Sequence, residues 1–429
     1  MKSKKLRIIG MIILAILAFI FVIKAFYFKK SYSVNNHEFS DKVNYEEIVF
    51  KTKEEKPISL KRVSDGYLII SEINIVDSDD DYSSDVRISK YDFNFNKKWN
   101  YDYICYKELK KIGVTKKEKF SVFVSNIEED YDVYHIVLNI SDEDGDFNSA
   151  LLIFDNEGSL YKNKIFEDTS LDTIVDISKE KISLAEVNNY YEYNLNTEKV
   201  TIIKPEISNK NEMEIMDKDE SLYYAYSYIN YYSDEDDNNI VEGDNSFYLL
   251  DNKLKIIKKI SLDEAIGIKI DDEHNVDYGT IKRMGDKFYL PYNTTLITDE
   301  SEDPDYYGLL IIDKDLNNTH NIKYDDPEIK DNIESIFDCY VSGNELLYVL
   351  SETLDNYIMV EKFDNKYNSV SSDEIKIPEF NKFEDSYSFT DMELINMDDK
   401  GFDFYQIFDD DEENINKAKT YLRIYSIKY

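Results

Sequence analysis

Six times along this 429-residue chain an apolar run ends in Asp or Asn, turns through polar residues and resumes as an apolar run. The residues that open these turns are Asp92, Asp155, Asn194, Asp251, Asp313 and Asp364, in fragments such as ISKYDFNFNKKWNY, LLIFDNEGSLYKNKIF and VEKFDNKYNSV. Recurrence every roughly 40–60 residues marks an architecture built by repetition of one supersecondary unit. Gly is scarce, at 12, so Asn and Asp must occupy most turn positions. They can do so because their side chains bond the local backbone and tolerate left-handed conformations.

Another pair of strands precedes each of these turns. Hairpin signals such as Ser64–Gly66, SKEK, MGD, SGN and DDKG join the pair, so the unit reads as a four-stranded antiparallel meander, A to D. After the sixth unit, MELINMDDKGFDFYQIF and KTYLRIYSIKY supply strands A, B and C of a seventh. Near the start, Glu46–Phe50 is a strand with no unit of its own. Pairing it beside the last strand C closes a ring and removes the exposed edges of an open sheet. The expected fold is all-β, a β-propeller of about seven four-stranded blades closed by an N-terminal strand and preceded by one transmembrane helix. Six or eight blades remain open at this point.

The blade pattern over 46–429 resembles the β-propeller superfamily, and KYDFNFNKKWNY is similar to a quinoprotein-type or YVTN-type blade. Trp99 alone supplies the tryptophan those families favour, and no WD dipeptide, Kelch double glycine or S-x-D-x-G-x-T-W box occurs. The resemblance implies a fold and no particular activity, because propellers host many functions.

Residues 8–23, IIGMIILAILAFIFVI, carry no charge. Extended through Lys24, whose long stem can snorkel, to Phe28, the run reaches the roughly 20 residues that cross a bilayer as a helix. Lys2, Lys4, Lys5 and Arg7 precede it and place the N-terminus in the cytoplasm. A cleaved signal peptide is the competing reading, but it wants small residues at −3 and −1, and Ile23 stands two before Ala25. The layout is therefore a cytoplasmic tail (1–7), a transmembrane helix (8–28), a tether (29–45) and an extracellular propeller (46–429) on a single-pass membrane protein. The bias towards Ile, Lys, Asn, Asp and Tyr, with five Arg, suggests an AT-rich bacterial genome.

The formal charge is −37, and residues 1–30 contain no acid, so the remainder is more acidic still. Such a domain repels nucleic acid, whose binding depends on cationic contacts to phosphate. Cys105 and Cys339 lie in different units and read as two free thiols.

The densest acid clusters are Asp77–Asp85, Ser141–Asp146, Ser233–Asn239, Thr298–Asp305 and Asp409–Asn414, all between strands B and C. In a meander the B–C and D–A connections share one face, so the clusters do too. The opposite face carries the C–D hairpins with Lys97, Lys98, Lys162, Lys164, Lys253, Lys255, Lys258 and Lys259. Strand Glu46–Phe50 must begin on that face, which places the tether there and turns the Lys-bearing face to the membrane and the acidic face outward. The acidic loops are either simply solvated, or a dock for a cationic protein or cell-envelope polymer, or a calcium site. Asp142, Asp144 and Asp146 alternate around Gly145 as calcium ligands would, without the Glu of an EF-hand loop.

The residues that might carry chemistry do not assemble in sequence. His37, His135, His274 and His320 show no metal spacing. Arg62, Arg87, Arg283 and Arg423 are too few and scattered to imply a sialidase-like cluster, although Arg62, Arg283 and Arg423 fall in or near inner strands. Tyr224, Tyr226 and Tyr228 alternate onto one sheet face, which suits packing between blades or a sugar platform. The carboxylates are too numerous to single out an acid–base pair, and no nucleophile elbow, phosphate loop or nicotinamide fingerprint occurs. The sequence thus favours a non-enzymatic binding or scaffold module for an envelope component, with no cofactor unless calcium. The alternative is a carboxylate-based hydrolase or lyase acting on an extracellular carbohydrate or peptide.

Overall fold

The computed structural model describes residues 32–78, 81–114, 120–142, 145–205, 212–228, 230–233, 239–242, 244–267, 274–296, 304–324, 333–343, 345–353, 357–378, 387–389, 392–398, 400–410 and 418–428. Within them, seven antiparallel sheets follow one another as blades of a propeller. Blade 1 runs Lys56–Val63, Gly66–Ser78, Asp81–Tyr91, Lys97–Tyr103, and blade 2 runs Ser121–Asp130, Val133–Ser141, Phe147–Asp155, Leu160–Phe166. Blades 3, 4 and 6 repeat the meander, starting at Thr173, Glu212 and Ile333. Strand A is split in blade 5 (His274–Tyr278, Lys282–Met284) and in blade 7 (Tyr387–Phe389, Glu393–Asp398).

Ring closure follows the sequence reading. Strand β2, Val43–Lys51, lies antiparallel to Lys419–Lys428, the strand C of blade 7, and supplies its strand D. The tether expected over 29–45 is not a plain linker. Tyr32–Glu38 forms strand β1, paired along its length with β2 as a fifth strand of blade 7. Its polar composition fits an outermost position, where one face and one edge meet water. Tyr32 is the exception: it is buried against Phe50 and Tyr91, and its hydroxyl donates to the Phe95 carbonyl of the first C–D hairpin. The tail 1–7 and the segment 8–28 lie outside the described residues. Among the described residues no helix is long and apolar enough to cross a membrane.

The core is distributed rather than central. Seven apolar clusters of described residues fill the seven seams between neighbouring blades. Successive side chains of a strand point to opposite faces, so one strand serves two seams. In blade 1, Leu68 and Ile70 face blade 2 while Ile69 faces blade 7. In blade 2, Ile136 and Leu138 face blade 1 while Val137 faces blade 3. Continuous apolar runs in strands B and C are therefore required, and each fully buried Leu, Ile or Phe contributes roughly 1.5–3 kcal/mol.

Four of the six recurrent turns share one geometry. At Asp92, Asp155, Asp251 and Asp364 the carboxylate accepts backbone N–H bonds from the residues two and four positions on, at 2.7–3.0 Å. The third residue after the Asp is left-handed: Phe95, Gly158, Leu254 and Tyr367 have φ of 54, 86, 58 and 64°. These backbone bonds hold the Asp155 and Asp251 carboxyls below their ordinary range. Gly158 is required for a second reason: a Cβ there would lie 2.5 Å from the Trp99 ring. Trp99 stacks on Phe154 and donates to the Asn156 carbonyl, which pins blade 1 to the blade 2 turn.

Candidate functional site

Strand A of each blade lines the channel, and the two ends of that channel differ. At the A–B end, ion pairs stitch successive blades together. Arg62 binds Asp403 at 3.3 Å, Lys218 binds Asp176 at 2.5 Å, and Lys282 binds Asp338 at 2.8 Å. Arg283 reaches Asp217 and Asp219 at 2.9 and 2.7 Å, with its guanidinium over the Tyr224 ring. Arg423 stands apart, in strand C of blade 7 rather than an inner strand. It sits opposite Glu47 of β2, and this pair, 3.1 Å apart with both side chains at most 5% exposed, clasps the ring closure. Arg87 is paired in blade 1 with Asp102. The arginines therefore form no cluster.

The B–C end opens into a cavity of about 810 Å³. Blade 3 contributes Asp172 and Thr173, blade 4 contributes Glu214, Met216 and Tyr226, and blade 5 contributes Asp277 and Tyr278. No Lys or Arg occurs among the described residues that line it. Strand Glu212–Asp219 explains the placement of Glu214. Met213 and Ile215 are buried in the blade 3–4 seam, so the alternate positions Glu214 and Met216 turn to the blade 5 side, where they line the cavity. Tyr226, from the next strand, donates to Glu214 at 2.6 Å. Burial raises the Glu214 carboxyl above its ordinary range, against that hydrogen bond. Asp172 caps the D–A connection ahead of strand A in blade 3. Burial, then the negative charges of Glu214 and Glu186, push its carboxyl up to about 6.

The wall between blades 4 and 5 is built by the helix Leu262–Ile266. Ser261 caps its start by accepting the Glu264 N–H, and Gly267 ends it at φ 79°. Leu262 and Ile266 anchor it in the seam. Asp263 is thereby held where Tyr278 and Asn245 donate to it at 2.8 and 3.1 Å, and burial raises its carboxyl. Asn126 of blade 2 completes the wall. Its side-chain oxygen is shielded from water and has no hydrogen-bond partner among the described residues. A second cavity, about 750 Å³, shares Ser125, Asn126 and Thr280 with the first. There Glu128 is matched by Lys61 at 3.7 Å.

The five acid clusters fall in B–C connections as expected, but most of their residues, 79–80, 143–144, 234–238, 297–303 and 411–414, lie outside the described set. Asp142 accepts the Asp146 N–H in a local turn, and Asp144 is outside the described residues. Among the described residues no group of three or more His, Cys, Asp or Glu is placed to hold a metal.

On the Lys-bearing side several lysines are paired. Lys97 and Lys98 pair with Glu55 and Asp92, Lys162 with Glu198, and Lys259 with Asp244, a residue of the B–C side. His37 and His320 stack on Tyr45 and Tyr367, and His135 is buried in the sheet. His274 begins strand A of blade 5. Tyr224 packs between blades 4 and 5 against Phe288, whereas its alternate Tyr226 belongs to the cavity. Both cysteines are buried and free, and burial raises both thiols. The sequence reading singled out Tyr226 but neither Asp172 nor Glu214. The available signal was an acid alternating with apolar residues in an inner strand.

No family model matches this chain, and no curated protein matches it. Among solved structures it is similar to a prolyl endopeptidase, with 10% identity, a TM-score of 0.47, and coverage of 87% of this chain and 50% of that one. It is also similar to the polysaccharide lyase Uly1, with 8% identity, a TM-score of 0.43 and coverage of 87% and 90%. For a Synechocystis apocarotenoid oxygenase mutant the values are 10%, 0.40, 73% and 71%. The chain thus spans about half the length of the endopeptidase it matches. Likeness at this level transfers no activity.

Proposed function

We propose that this chain is a membrane-anchored, extracytoplasmic binding propeller that holds an envelope component at the B–C mouth of its channel. The observation that carries the reading is the pairing pattern of its carboxylates. Glu47 and Glu55 are buried beside Arg423, Arg87 and Lys97. Asp172 and Glu214, in the cavity of about 810 Å³, have only neutral donors and other acids around them among the described residues. A carboxylate withdrawn from water without a cation is destabilising, and a ligand that supplies the missing partner offsets that cost. The anchor at 8–28 tethers the domain to the membrane; β1 reverses the chain ahead of β2, so the tether reaches the ring at the Phe50 end of β2 and not at the C–D end where β2 begins. Lys97, Lys98 and Lys162 are matched by acids, so attachment rests on the helix rather than on lipid charge.

Two experiments test the reading. External protease on intact cells should digest the propeller and spare residues 1–7; full protection would refute the topology. Cross-linking from a photoreactive residue at Thr173 should capture an envelope component that the same residue at exposed Tyr161 does not. Equal capture from both positions would refute the site. The enzymatic alternative is favoured by one observation, the Asp172 carboxyl raised to about 6 beside Glu214, which suits a general acid near neutral pH. Release of reducing ends or peptides from purified envelope, abolished by Glu214→Gln, would establish it instead.

A further inference from the structure

Resting on that binding reading, we infer that the group bound at the B–C mouth is an organic ammonium: a primary amine on an alkyl stem, received by Glu214 and Asp172, with the Asn126 side chain in the wall beside them. Both carboxylates are acceptors. Glu214 already takes the Tyr226 hydrogen through Oε2, at 2.6 Å. The Asn126 oxygen is shielded and unpartnered, while its amide nitrogen makes a long, 3.4 Å bond to Thr173. An ammonium is the complementary species, with three donors and no acceptor.

The other ligand classes fit less well. An anion would meet carboxylates and no Lys or Arg among the described lining residues. A metal ion needs several converging ligands, and the described residues contain no such group. A neutral polyol could use Thr173, Ser227 and Asn245, but it would leave Asp172 and Glu214 without a counter-charge. The rest of the wall suits an alkyl stem: Met216, Leu262, Ile281 and Leu290 are apolar, and Tyr226 and Tyr278 add aromatic rings to the lining. The overall charge of −37 steers a cation towards the protein at long range.

Two sources carry this chemistry, a free diamine or polyamine and a lysine side chain on a polypeptide. Calorimetry on the full chain in detergent, at pH 7.5, separates them with 1,4-diaminobutane in one arm and an N-acetylated lysine amide peptide in the other. The neutral 1,4-butanediol is the control. Saturable one-to-one binding of either amine, with none of the diol, is expected. Glu214→Gln should weaken it by about 10- to 100-fold, the worth of one hydrogen bond to a charged group. Met216→Lys places an ammonium in the cavity while leaving both acids in place to pair with it, and should abolish binding with the fold intact by circular dichroism. Binding of the peptide alone identifies a lysine-bearing partner, and binding of the diamine identifies a small amine. No binding of either amine to folded protein, or equal binding by wild type and Glu214→Gln, overturns the inference. A neutral sugar or diol that binds while both amines fail overturns it too, yet leaves the binding propeller standing.

Discussion

Replacing Asp172 by Asn should make the protein more stable at neutral pH. The Asp172 carboxyl is raised from 3.8 to about 6, first by burial and then by Glu214 and Glu186. A shift of that size corresponds to about 3 kcal/mol at about 1.4 kcal/mol per pH unit. The side chain is only partly buried, so solvent screening reduces the expected effect to about 1–2 kcal/mol. Between pH 4 and 6 the folded state keeps a proton that the unfolded chain has released. Stability therefore falls as pH rises through that window, and the penalty is complete by pH 7. An Asn stays neutral throughout, and its carbonyl can still accept the Val187 backbone N–H that the carboxylate receives.

Urea unfolding measures this directly. Trp99, the only tryptophan, sits in the seam between blades 1 and 2 and reports its opening, while far-ultraviolet dichroism reports the sheets. Coincidence of the two transitions is the condition for extracting a free energy. Wild type and Asp172→Asn should be equally stable near pH 4, and the variant about 1–2 kcal/mol more stable at pH 7. The groups facing Asp172 that also titrate are Glu186 and Glu214, so the Glu214→Gln background should shrink the difference. If the variant is less stable at pH 7, or if the two pH profiles run parallel from 4 to 7, the carboxylate is not under electrostatic strain and the case for the site collapses.

Three further outcomes follow from the fold. Arg423→Ala strands the buried Glu47 carboxylate and should cost about 3–5 kcal/mol in urea unfolding, whereas Arg423→Met with Glu47→Leu should recover most of it; a single-variant loss under 1 kcal/mol would show that the pair is not what clasps the ring. Gly158→Ala drives a Cβ into Trp99 from a left-handed backbone, so a loss of about 1–3 kcal/mol and a shifted Trp99 emission are expected, and an unchanged emission would contradict the contact. Cys105 and Cys339 should resist a thiol reagent in the native protein and react together on unfolding, since both are buried with their thiols raised; prompt labelling of either would refute its burial.

Much of the fold was legible because the turns are written in residue chemistry. The Asp that opens each C–D hairpin is the acceptor for two backbone N–H groups, and its spacing sets the blade period. Closure by the segment ending at Phe50 was legible because Ile48 and Phe50 are apolar and otherwise unpaired in pattern. Strand β1 was not, because YSVNNHE pairs through backbone on one edge and needs almost no apolar residue to do it. The ion pairs of the C–D lysines were out of reach for a different reason. The lysine positions in the strands were readable, but Lys162 meets Glu198 of the next blade and Lys98 meets Asp92 across a turn, and such neutralisation belongs to packing. Asp172 and Glu214 were hidden among 88 acids, since what separates them is burial without a cation, a property of the assembled ring.

The two ends of the channel make the strongest case that the ring serves more than its own stability. Both ends are built from the same strands under the same twist, and both carry charged residues. At the A–B end every carboxylate named above is matched by a Lys or Arg from an adjacent blade, as Asp217 and Asp219 are by Arg283. If closure were the sole demand, the B–C end would be matched in the same way, or apolar, since either is more stable than a bare buried acid. Instead Asp172 and Glu214 face a cavity of about 810 Å³ with a tyrosine hydroxyl as the nearest donor to Glu214. Stability given up at one mouth and secured at the other is the pattern of a binding site set into a scaffold. The stability experiments predict opposite signs for removing a charge: a gain at Asp172, which no cation matches among the described residues, and a loss at Arg423, whose removal strands Glu47 in the ring closure.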